Sequence, residues 1–254
     1  VHIFKRLTTT AFAATLLLAT PAAASNAAPK LPFSPDQKAA MEDFIRDFIL
    51  DNPEVLMESV NRFKEREEKR QDEDALSAIT RYKDFLYNNK DMPQAGNLKA
   101  DITVVEFFDY NCGYCKRAYE AVQETIDKDK NVRFVFVELP ILSETSRNVA
   151  EWAMAAHKQG KYFEFHREAM LFAGPRNEAA MEGIAKKLGL DVNQMKKDAK
   201  SQETQALLEK KVEVAQALRI TGTPGFIIGD QIVRGYVPYE GMKAIIADAR
   251  KNKK

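Results

Sequence analysis

Cysteine is almost absent from this chain: two occur in 254 residues, beside one tryptophan and three histidines. Two cysteines cannot staple a fold of this length, so apolar burial must hold it together. A structural zinc site is equally disfavoured, because it needs about four ligands. Besides Cys112 and Cys115 there are only His2, His157 and His166, and the last two lie in helical segments with no metal-ligand spacing to the cysteines. Charge of one sign is lacking as well. The 38 basic residues meet 37 acidic ones, which gives no general reason to expect nucleic acid or anionic lipid as a partner. The apolar run Ala11 to Ala19 is too short to cross a membrane. With Lys5 and Arg6 before it and Ala22-Ala23-Ala24 after it, the run reads as a secretory leader over residues 1–24. Cleavage is expected after Ala24, with Ala28 as a rival, and no cysteine follows that would carry a lipid. Export would place the two thiols in an oxidising compartment, so the expected location is the periplasm.

What is present falls into a short Pro-rich linker (25–35), a helical extension (36–96) and a compact domain (97–254). Ser34 can cap a helix that Pro35 begins, and Met41, Phe44, Ile45, Phe48 and Ile49 line one face of it. Asn52-Pro53 interrupts that helix, and a second carries Val55, Leu56, Val60 and Phe63. Lys64 to Asp74 is charged with alternating signs, which favours a solvated helix. Leu76, Ile79, Tyr82, Phe85 and Leu86 resume the apolar stripe, and Asn88 to Gly96 reads as a loop. Either these helices fold back on the main domain, or they pair with copies of themselves in a homo-oligomer. The charged segment between the early apolar face and the main domain favours pairing.

Beyond residue 97 the order is strand (Ile102 to Phe108), helix, strand (Val132 to Leu139), a helical block over about 143–218, a hairpin turned at Gly229-Asp230, and a closing helix from about Tyr239 to Lys251. That order predicts an α/β sheet flanked by helices, with a helical insertion. Within the block, Trp152 and Phe163 read as core. The pairs Lys196-Lys197 and Lys210-Lys211 read as solvated faces.

The chemistry concentrates at Cys112-Gly113-Tyr114-Cys115, after a hydrophobic strand and at a helix start. Unpaired N–H groups and partial positive charge at a helix N-terminus stabilise a thiolate, which makes Cys112 the nucleophile. Two intervening residues bring the sulfurs within bonding reach, so Cys115 can resolve a mixed disulfide. A purely structural disulfide here would close a tiny loop and add little. The second motif is Thr221-Gly222-Thr223-Pro224-Gly225-Phe226. A cis Thr223–Pro224 bond would turn the Thr223 backbone outward beside the cysteines, where an extended client could pair with it.

The run Val104-Val105-Glu106-Phe107-Phe108-Asp109-Tyr110-Asn111-Cys112-Gly113-Tyr114-Cys115 resembles the active-site strand of DsbA-family proteins. The Thr223-Pro224 segment resembles their cis-proline loop. The likeness spans about Asn97 to Arg250. It implies a thioredoxin fold with an inserted helical domain, a cis bond before Pro224, and a proton-transfer role toward Cys115 for the buried acid Glu106. Gly113, Tyr114, Thr223 and Pro224 would meet the client. Gly113-Tyr114 replaces the Pro-His of strongly oxidising members, and tyrosine brings no positive charge to Cys112. A weaker oxidant is expected. The extension, with Phe48 to Leu56, resembles the subgroup of suppressor-of-copper-sensitivity C proteins, in which oligomerisation through such helices goes with disulfide isomerase activity.

The resulting expectation is a disulfide isomerase of misoxidised exported proteins. It needs no cofactor beyond the Cys112–Cys115 pair and is reset by a membrane redox partner. The alternatives are a simple dithiol oxidase with a tether, and a Cu(I)-binding protein using the same sulfurs.

Overall fold

The computed structural model describes residues 33–252, so the leader and most of the expected linker lie outside the described residues. The chain divides into two units, one ending at Val60 and one from Asn61 onward.

In the first unit, α1 (Pro35–Asp51) opens with a reciprocal cap: Ser34 Oγ accepts from Gln37 N, and Gln37 Oε1 accepts from Ser34 N. Asn52 ends the helix, its side-chain and backbone N–H groups both donating to the Phe48 carbonyl. Pro53 then starts α2 (Pro53–Arg81). No residue of α1 is buried, and Met41, Phe44, Ile45, Phe48, Ile49, Leu50, Leu56 and Val60 are exposed.

The second unit holds a five-stranded sheet in the order β1-β3-β2-β4-β5, formed by β1 (Gln94–Gly96), β2 (Ile102–Phe108), β3 (Val132–Glu138), β4 (Gly225–Ile228) and β5 (Gln231–Arg234). β2 and β3 are parallel, joined by α3 (Gly113–Lys128); the other pairings are antiparallel. β2 is central and its alternation is two-sided. Val104 and Phe108 face an apolar layer containing α3, α4 (Glu144–Lys158) and α9 (Tyr239–Asn252). Val105 and Phe107 face a second layer made by the end of α2, the turn after it and α8 (Gln202–Ala217). Helices α5 (Tyr162–Leu171), α6 (Glu178–Lys187) and α7 (Val192–Ala199) complete the insertion with α4 and α8. In α4 the run from Val149 to Ala156 is buried throughout, and its four alanines let neighbouring helices approach closely. Trp152 is core and Phe163 packs at its edge.

Two expectations change here. The boundary drawn at 96/97 falls inside the sheet, because Gln94–Gly96 pairs with β3 instead of looping. Ala75, Ala78, Leu86 and Met92 are fully buried, and the last three pack on Val105 and Phe107. The last part of the expected extension therefore folds back onto the domain, tied also by Tyr82 Oη donating to Glu213 (3.0 Å). The second change is Lys211, which is not on a solvated face. It is 0% exposed and paired with Glu138, itself 1% exposed and accepting from Tyr162 Oη as well. The physical reason is position: Lys211 follows Leu208 and precedes Val214 and Ala215 on the inward stripe of α8. A cation there must find a buried anion.

Candidate active site

β2 ends at Phe108, and Asp109-Tyr110-Asn111 turns the chain into α3. Cys112 is the cap of that helix, in extended conformation (φ −78°, ψ 118°), with its Sγ accepting from Cys115 N at 3.3 Å. The same thiol donates to the Thr223 carbonyl at 3.2 Å. Thr223 and Pro224 precede β4, the antiparallel neighbour of β2, which is why a segment 111 residues downstream arrives beside the cysteine. The Thr223–Pro224 peptide bond is cis. Both cysteines are free thiols, Cys112 6% and Cys115 1% exposed. Burial is the largest influence on Cys115 and pushes its thiol well up, so it rests protonated.

Around this pair the surface is open. A side chain built on Gly113 would meet no atom, and Tyr114 is 59% exposed beneath the Arg117 guanidinium (5.4 Å to the ring centroid). Ile141 and Leu142 are exposed too, although their N–H groups are spoken for by Asp109.

Asp109 is the residue that sequence reasoning did not single out. Its Oδ1 accepts from Asn111 N and Ser146 Oγ, each at 2.7 Å, and its Oδ2 from Ile141 N (3.0 Å) and Leu142 N (3.1 Å). Asn111 Nδ2 donates toward Ser143, Thr145 and Ser146 hydroxyls at 2.9 Å. Together they fasten the turn before Cys112 to the start of α4. The available signal was an Asp and an Asn just before a helix start, a position where short polar side chains take over backbone hydrogen bonding.

Glu106 lies mid-strand on the same face of β2 as Val104 and Phe108, the face whose apolar layer also contains Cys112 and Cys115. It is 3% exposed, and no hydrogen bond or ion pair joins it to another described residue. Burial pushes its carboxyl up to about 8. Beside it in the layer, Tyr110 Oη and His166 Nδ1 are hydrogen bonded at 3.1 Å, and burial takes the imidazole down to about 3, so it is neutral. The structure thus gathers Cys112, Cys115, Thr223 and Pro224 at one point, puts Gly113 and Tyr114 on its rim, and sets Glu106 in the layer that backs the pair. Among the described residues, no group of three or more His, Cys, Asp or Glu side chains stands ready for a metal ion.

A family profile described as Thioredoxin matches residues 88–248. The chain belongs to the thioredoxin family. Within it, a second profile, Copper resistance protein ScsC N-terminal domain, matches residues 37–70. A thioredoxin-like oxidoreductase from Silicibacter pomeroyi is 43% identical, with a TM-score of 0.64, over 66% of this chain and 97% of that one. A linker-deleted variant of Proteus mirabilis ScsC has the same fold over 88% of this chain and 99% of that one (24% identity, TM-score 0.67). Disulfide bond formation protein D of Bacillus subtilis is 28% identical over 177 residues, 65% of this chain and 79% of that one. The chain also matches Na(+)/H(+) antiporter NhaA 1 of Salinispora arenicola at 29% identity, but spans only 24% of that protein's length. Within the thioredoxin family the chain is thus similar to DsbA- and ScsC-type proteins, and its N-terminal helices match the ScsC profile.

Proposed function

We propose that this protein is a thiol–disulfide oxidoreductase of the DsbA/ScsC type, that it works in the periplasm on protein clients, and that it reshuffles disulfides more than it installs them. The observation that carries the exchange chemistry is the Cys112 sulfur, held between the Thr223 carbonyl and the Cys115 N–H at the start of α3. A thiolate formed there keeps the N–H donor and the positive helix end. Cys112 attacks a client disulfide; one client sulfur bonds to it and the other leaves as a thiolate. That thiolate attacks a second client disulfide, and the new client thiolate released at the end of the shuffle displaces Cys112. No electrons are gained or lost overall. When a client stalls, Cys115 attacks the Cys112 sulfur and expels the client thiolate. The client leaves reduced by two electrons, and a membrane redox partner must return the Cys112–Cys115 disulfide to thiols. The pair is itself the redox group, and no other cofactor enters. Gly113, Tyr114, Thr223 and Pro224 hold the client, with the Thr223 backbone as the strand-pairing element.

Isomerisation, as opposed to oxidation alone, is supported by the exposed apolar side chains of the first unit and by the profile matched there. A second copy of this chain covers them, and an oligomer sets several thiol pairs around one client. Reactivation of a scrambled-disulfide client tests this, comparing the full chain with one starting at Asn61, which keeps the buried Ala75 to Met92 segment. Reactivation by the full chain alone supports the reading. Equal reactivation removes the role of the helices, and fast oxidation of reduced client without reactivation replaces isomerase by oxidase.

Copper handling is the second reading, favoured by the description of the profile over residues 37–70. Cu(I) would rest on two sulfurs. Cu(I) binding that is lost in Cys112→Ser, in a protein without metal-free thiol turnover, would establish it over the enzyme reading.

A further inference from the structure

At the opposite end of the sheet from the cysteines lies a cavity of about 580 Å³. It opens at the starts of β2 and β3, beside the Gly229–Asp230 turn and the end of α9. The seven residues of β2 separate it from the active site by roughly 20 Å. Its volume is in the range that accepts a small molecule.

Its walls combine two characters. Ile79, packed on the same face of the sheet as Arg133, and Ala100 give an apolar side. Beside them are Arg133, Lys83 and Tyr87. Arg133 is half-buried and points from β3 on the face opposite α3. Its Nε donates to Thr103 Oγ1 at 2.9 Å, which fixes the guanidinium. No carboxylate pairs with Arg133 or with Lys83 among the described residues, and the Tyr87 hydroxyl makes no hydrogen bond there either. That contrasts with Arg250, which grips Asp101 through Nε (2.9 Å) and Nη2 (3.0 Å) while also holding Asp129 through Nη1 (2.8 Å). The other lining acid, Asp230, is exposed on the hairpin turn. Lys83 and Tyr87 owe their placement to a π-helical turn (Asp84–Asn88) after α2, a local irregularity that recurs at functional sites. Burial holds the phenol up at about 12, so it stays a neutral donor.

A partly buried guanidinium held in place without a paired anion presents a fork that matches a planar carboxylate. We propose that this cavity binds a small organic carboxylate with a compact apolar body, the head held by Arg133, Lys83 and the Tyr87 hydroxyl and the body against Ile79 and Ala100. The site is independent of the thiol chemistry.

Calorimetric titration of the full chain with 3-phenylpropionate tests it, with 3-phenylpropanol and inorganic phosphate as comparison probes. One saturable site per chain is expected, weakened about tenfold or more in Arg133→Met and weakened also in Lys83→Met. The exposed Lys83 variant carries the test if the Arg133 variant does not fold. Thiol-exchange rates should stay at the parent value in both. The proposal is overturned if 3-phenylpropionate shows no saturable binding, if both variants bind it as the parent does, or if the alcohol or phosphate binds as well as the carboxylate.

Discussion

A carboxyl in mid-strand, with Phe136 and Phe226 as its cross-strand neighbours, has nothing beside it to stabilise a negative charge. Glu106 therefore holds its proton up to about pH 8, while in the unfolded chain it releases it near the ordinary value of 4.5. Between those limits the folded state binds a proton that the unfolded state has lost, so stability falls as pH rises from 4.5 to 8 and is flat above. Full ionisation costs on the order of 5 kcal/mol at most. Urea unfolding of the parent and Glu106→Gln should show the variant gaining on the parent by a few kcal/mol between about pH 5 and about pH 9. A pH-independent difference would mean that Glu106 is not buried as a neutral acid. The same proton has a use in the proposed cycle. When a thiolate of the redox partner attacks the oxidised pair at Cys112, Cys115 leaves as a thiolate in a buried place that disfavours it, and the proposed role of Glu106 is to return the proton. Glu106→Gln should slow that step and remove the ionisation near 8 from its pH profile, as followed by stopped-flow fluorescence. Cys115→Ser should accumulate a mixed disulfide on Cys112, visible by mass under non-reducing conditions, whereas Cys112→Ser should accumulate none.

Among the elements, α8 teaches how a residue pair can mislead. Lys210 stacks its ammonium over Tyr82 (5.0 Å) and meets Glu213, as a surface lysine does, while its neighbour Lys211 is sealed inside against Glu138 and Met154. Lys211→Met should cost about 3–5 kcal/mol because it strands a buried carboxylate. The double variant with Glu138→Gln should recover more than half of that loss in urea unfolding. The sequence contained the clue, since Lys211 lies three or four residues from Leu208, Val214 and Ala215, but a double lysine outweighs a stripe when read alone. β1 was illegible for a different reason. Gln-Ala-Gly has neither alternation nor β-branched side chains, and only its pairing with β3 makes it a strand. By contrast β2, β3, the hairpin and α3 were legible, because each combines a strong local pattern with a turn or cap that ends it. The meeting of the cysteines with the Thr223–Pro224 segment was legible from two short motifs, and Asp109 was not, because its four hydrogen bonds reach residues more than thirty positions away as well as Asn111.

At the scale of the molecule, the unresolved weight is on the first unit, where α1 exposes Phe44 (69%) and the stacked Phe48 (44%) with no buried residue at all. The proposed self-association rests on these exposed aromatics, since an apolar patch of this kind suits an interface. Phe44→Glu combined with Phe48→Glu should reduce the mass measured by light scattering to that of one chain. Scrambled-client reactivation should be lost while the rate of reducing a small disulfide stays unchanged. An unchanged mass would place any self-association elsewhere. The sheet order bears on how such a chain comes into being. β2 pairs with β4, Val104 opposite Ile228, so the centre of the sheet waits for residues made more than a hundred positions later. As the chain emerges from its N-terminus, Cys112 and Cys115 are in the open while the Thr223 carbonyl that will receive the first thiol does not yet exist. For that interval the nascent protein is open to the very chemistry proposed for its folded form.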